Sequence, residues 1–128
     1  MQNTVVVRYP DGRLLKGTTH DFLPNKNTFH VTEKDTGQRI PVDLSGLKAV
    51  FFVKTYDGSR EYREKIDGQR VGMGRKIQVK FKDGETLVGY TQGYTPNRPS
   101  FFVFPADPNS NNERILVITA ATESVQFL

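Results

Sequence analysis

The chain has 128 residues, no cysteine and a formal charge of +4, with a pI near 9.4. It therefore holds no disulfide and no thiolate metal site, and its longest wholly apolar run, 49–53, falls far short of the ~20 residues of a membrane-spanning helix. A basic excess this small, mixed with acids, permits nucleic acid or an acidic surface as partner without naming either. The missing cysteines, and a start at Met1-Gln2-Asn3-Thr4 without a charged or apolar leader pattern, set a cytoplasmic expectation.

In chain order, Val5, Val6, Val7, Arg8 and Tyr9 make a β-branched run that stops at Pro10-Asp11-Gly12, which predicts a strand entering a hairpin. A two-residue loop would set Val7 opposite Lys16 and mix the faces. A three-residue loop pairs Tyr9 with Arg13, Val7 with Leu15 and Val5 with Gly17. Pro10 then opens a type I turn, and Gly12 takes the left-handed position of a bulge. The second strand carries Leu15, Gly17 and Thr19 on one parity, and a glycine inside a strand marks a close backbone approach or a sharp bend. A loop on Pro24-Asn25 leads to a third strand starting near Phe29. Ile40 and Val42 mark a fourth, Asp43-Leu44-Ser45-Gly46 a single turn of tight helix, and Val50 and Phe52 a fifth.

Residues 54–74 break this pattern. Asp57-Gly58, Asp67-Gly68 and Gly72-Met73-Gly74 punctuate a charged stretch, which predicts an exposed connector with room for a short helical turn over 61–66. Then the chain begins again. Residues 5–32 lie over 77–104 at a constant offset of 72, with ten of 28 positions identical, among them Asp11/Asp83, Gly12/Gly84, Gly17/Gly89, Pro24/Pro96 and Phe29/Phe101. The fourth and fifth strands repeat at an offset of 75, as Ile40/Ile115, Val42/Val117, Val50/Val125 and Phe52/Phe127. Two such units, 1–53 and 75–128, each of five short bent strands, predict an all-β protein of two tandem five-stranded SH3-like or Sm-like small barrels.

Little in the chain points to catalysis. There is no strained serine elbow, glycine-rich phosphate loop or cysteine nucleophile. His20 and His30 would face each other across adjacent strands with Asp21 nearby. Two histidines without a clear third ligand make a poor metal site, and a solvated outer face is the stronger reading. Outward aromatics distinguish the second unit: Tyr90, Phe102 and Phe104 stand where the first has Thr18, His30 and Thr32. With Phe51 they make either a seam between barrels or, beside Lys80, Lys82 and Arg98, a stacking platform for bases; the seam is favoured because a soluble monomer rarely leaves such a patch open. The loop 109–114 reads as a solvated turn.

The stretch from Gly17 to Val31, with Phe22 and with Asn27 before a hydrophobic strand, resembles the first Sm motif. A leucine stands where that motif has an acid, and the Arg-Gly pair of the second motif is in neither unit. The phrases Leu47-Lys48-Ala49-Val50-Phe51-Phe52-Val53, Phe81-Lys82-Asp83-Gly84-Glu85 with Gly89-Tyr90-Thr91, and Pro105-Ala106-Asp107 with Asn111-Asn112-Glu113-Arg114 resemble a family of uncharacterised bacterial proteins. That resemblance implies a bacterial origin and no assigned activity. The expectation is a non-catalytic binding module without a cofactor or membrane insertion. A protein partner is the first reading and nucleic acid, or a nucleotide, the second.

Overall fold

The computed structural model describes residues 2–23, 25–56 and 72–128. Most of the expected connector, and the helical turn over 61–66, lie outside the described residues. Ten strands form: β1 (Asn3–Arg8), β2 (Leu14–Thr19), β3 (Thr28–Glu33), β4 (Arg39–Asp43), β5 (Ala49–Val53), β6 (Arg75–Phe81), β7 (Thr86–Thr91), β8 (Ser100–Pro105), β9 (Asn112–Ile118) and β10 (Thr122–Phe127). Short 3-10 turns, Leu44–Gly46 and Thr119–Ala121, precede β5 and β10. The Asp43 carboxylate caps the first by accepting from the Ser45 amide, and Ser45 and Asn27 donate to it as well.

The first hairpin adopts the bulged register. Val7 pairs with Leu15 and Val5 with Gly17, the Tyr9 amide donates to Arg13 O at 3.0 Å, and Gly12 sits at φ +94°. The β6–β7 hairpin has the same geometry, with Val79 opposite Leu87 and Gly84 at φ +94°. Such a φ costs glycine nothing and other residues strain. Gly17 and Gly89 serve a different end: a Cβ on either would overlap the carbonyl oxygen of Thr32 or Phe104. The missing side chain lets β2 cross close to β3, and β7 close to β8.

All neighbouring strands are antiparallel, in the order β10-β6-β7-β8-β9-β5-β1-β2-β3-β4. The order 5-1-2-3-4 within the first half is thus matched by 10-6-7-8-9 in the second. The closure expected of two separate barrels is not seen: among the described residues these strands make one open sheet. Its halves join through β5 and β9, where Val50 pairs with Leu116 and Phe51 with Ile115. The physical reason is edge satisfaction. A lone half would expose the β5 or β9 backbone donors and acceptors, and their mutual pairing covers both.

That junction places one core on each face of the sheet. Val50, Phe52, Leu116 and Ile118 join Val5, Val7, Phe29, Val31 and Val42 in the first core. The alternate residues Ala49, Phe51, Val53, Ile115 and Val117 join Ile77, Val79, Phe81, Phe101 and Val103 in the second. β5 is consequently buried at all five positions. Side chains of this size contribute about 1.5–3 kcal/mol each when fully buried, so the shared strands hold much of the fold.

Candidate functional site

The β5–β9 register sets Phe52 opposite Arg114. The Arg114 guanidinium lies 4.3 Å from the Phe52 ring centroid and 4.7 Å from that of Phe102. Burial pulls its pKa below the ordinary arginine range, with Glu113 opposing. Phe22 completes the group, edge-on to Phe29 at 5.2 Å, to Phe52 at 5.1 Å and to Phe102 at 6.3 Å. Phe102, a second-half residue, thus packs on the first core. Phe51 stands on the opposite face of the sheet, in the second core, 7% exposed, with Arg8 over its ring at 4.7 Å. Tyr90 is also 7% exposed and pairs with Phe104 across β7 and β8. The four aromatics singled out in the sequence therefore do not form one surface: Phe51 is parted from the other three by the sheet itself.

What remains open beside them is a cleft of about 330 Å³ lined by Thr91, Gln92, Gly93, Arg98, Phe102 and Phe104. Arg98 leans back and donates to Gly93 O. Of the other two bases, Lys80 bridges Glu123 at 3.2 Å, and Lys82 lies exposed in the β6–β7 turn, away from this cleft.

Sequence reasoning missed a second constellation. Lys48, 6% exposed, reaches from the first half to the β6–β7 turn of the second. Its Nζ meets Asp83 Oδ2 at 2.7 Å and Glu85 Oε1, 4.7 Å from the Phe81 ring centroid. Asp83 is held below the usual carboxylate range, first by the Lys48 hydrogen bond and then by the Glu85 amide. A single lysine beside five apolar residues carried no signal of burial. The loop before β9 is also tied down rather than solvated. Asp107 and Ser110 are buried, and the Asn111 side chain accepts from the Thr55 amide and hydroxyl and donates to Thr55 O.

The histidines part company. The β2–β3 ladder is limited to Gly17↔Glu33 and Thr18↔Thr32. His30 Nδ1 lies 2.7 Å from Asp21 Oδ2, and Asp21 Oδ1 accepts from the His30 amide at 2.9 Å. Those two bonds, the amide first, lower the Asp21 pKa to about 2. Among the described residues no three His, Cys, Asp or Glu side chains are grouped so as to hold a metal. No described helix is long and apolar enough to cross a membrane.

β4 pairs only with β3 and β10 only with β6 among the described residues. On β10 Phe127 is 40% exposed, and Leu128, just past the strand, is 60% exposed, with Arg75 stacked on Phe127 at 3.8 Å. No curated protein and no solved structure matches the chain. One family model does, over residues 1–128, and the chain belongs to that family of unknown function, DUF6982.

Proposed function

We propose that the protein is a non-catalytic interaction module that binds another protein through the open edge of its sheet. The observation that carries this reading is β10, an outer strand ending in exposed Phe127, followed by exposed Leu128, with one unpaired edge among the described residues. Such an edge supplies main-chain hydrogen bonds to an added strand, and the neighbouring apolar side chains supply selectivity. Val125→Pro removes one outward amide and tests it. A partner captured from the native cell should be lost with this variant and kept with Lys80→Ala/Lys82→Ala. Loss with the lysine pair and retention with Val125→Pro would reject it.

Nucleic acid is the second reading, favoured by the Arg98, Phe102 and Phe104 cleft, which combines a cation with ring faces suited to base stacking. Binding of an RNA or DNA oligomer that weakens steeply with salt would support it, because released counterions set that slope.

We also read the two halves as copies of one SH3-like or Sm-like unit fused in tandem, in a bacterial, cytoplasmic protein. Matching strand order and matching bulged turns support the duplication. An experimental structure in which the halves fail to superimpose would reject it.

A further inference from the structure

We propose that β10 and β4 are the complementary sides of a head-to-tail interface between copies of this chain, and that Pro41 holds it shut. The template lies inside the molecule. At the offset of 75, β10 corresponds to β5, and β4 corresponds to β9. The junction of the halves is a β5 edge covered by a β9 edge. The edges left unpaired among the described residues, at the two ends of the sheet, are therefore the same two edge types, left over.

Hydrogen-bond parity shows which backbone groups face outward. In an antiparallel ladder, bonded and non-bonded pairs alternate. The Leu128 amide donates to Lys76 O and the Leu44 amide to Asn27 O. With the printed registers, Gln126 and Ser124 turn their backbone groups to β6, and Val42 and Ile40 turn theirs to β3. Val125 and Phe127 on β10, and Arg39 and Pro41 on β4, point to the free edges. Their counterparts in the junction are Val50 and Phe52, facing Leu116 and Arg114. The Ile118 amide, donating to Lys48 O, fixes the same parity there.

Laid on that template, β4 of a second copy sets Arg39 opposite Phe127, just as Arg114 lies opposite Phe52, and Arg39 is 68% exposed at its side chain. Ile40 and Val42 repeat Ile115 and Val117. The centre alone cannot form: Pro41 stands where Leu116 stands, with no amide to give Val125 O and a ring carbon in the hydrogen's place. Proline on an edge strand is a known bar to strand addition. Asp43 would also come near Glu123, a like-charge contact that Lys80 relieves. Pairing of this kind is heterologous, so it builds open chains or rings rather than a symmetric dimer.

The test is Pro41→Leu, the residue of the matching position, with Pro41→Thr as a second variant should the leucine fail to fold. Sedimentation over a hundredfold range of concentration, at high ionic strength to screen Asp43 and Glu123, should show wild type at constant mass and the variant growing with concentration. Adding Val125→Pro should return the variant to the wild-type mass. A folded Pro41 variant that stays at the wild-type mass overturns the proposal. So does growth that survives Val125→Pro, or wild type that already assembles through β4 and β10.

Discussion

β5 and β10 occupy the same place in the two halves and lead opposite lives. Val50 is fully buried and Phe52 is 3% exposed, whereas Val125 is only partly buried and Phe127 is 40% exposed. Their sequences share the apolar pair at matching positions. The difference comes from what lies alongside: β5 has β9 on its second edge, and β10 has no described strand there. Similar residues become core or surface according to the neighbouring strand, so equivalence in sequence does not carry over to equivalence in burial.

The largest expected effect tests that contrast directly. Phe52→Ala should destabilise by about 3–5 kcal/mol, as deletion of a buried aromatic does, whereas Phe127→Ala should cost only about 1–2 kcal/mol because its ring, under Arg75 and beside Tyr94, is 40% exposed; denaturant melts of the two variants decide. Equal losses would mean that β10 is covered in solution. Gly17→Ala and Gly89→Ala should each cost about 1–3 kcal/mol by overpacking, in similar amount, because both meet a backbone carbonyl. A cost at one site only would locate a looser crossing. Lys48 and its counterpart Glu123 should differ again. Lys48→Ala removes a packed stem and two charged hydrogen bonds and should cost about 1–2 kcal/mol, while Glu123→Ala, on the surface, should fall within about 0.5 kcal/mol of wild type.

The smallest effect concerns Asp21, whose counterpart at the offset of 72 is Gly93. Its carboxyl titrates near 2 when folded against an ordinary 3.8. A depressed folded pKa stabilises fully above the unfolded value and is lost as pH falls through the folded one. Asp21→Asn should therefore flatten the acid limb between those two values, lower the denaturation midpoint modestly at neutral pH, where the wild-type carboxylate is charged and bonded, and converge with wild type at the acid end. An unchanged acid limb would show that the His30 contacts are absent in solution.

Much of the local structure is legible in the residues because it is decided locally. Asp11-Gly12 and Asp83-Gly84, with the parity of Val7 and Leu15, leave one sensible hairpin register. Gly17 and Gly89 announce a crossing that no side chain fits. The 3-10 turn is visible in Asp43 and Ser45, which satisfy each other's polar groups within two residues. The β5–β9 pairing is not legible, because no turn links those strands and two apolar runs fit many partners equally well. Closure of each unit into its own barrel was the natural expectation for that reason. The roles of Lys48 and Asn111 are hidden on similar grounds: each is an ordinary polar residue in sequence, Asn111 within a loop that reads as a solvated turn, and only a partner distant in the chain, Asp83 or Thr55, gives it a role.

Each interior is finished by side chains from the other half: Leu116 and Ile118 cap the first, Ala49 and Val53 the second. Neither segment alone owns a complete hydrophobic centre. A chain severed between β5 and β6 should therefore behave as a two-piece reporter, with both fragments unstructured apart and structure regained when they are mixed.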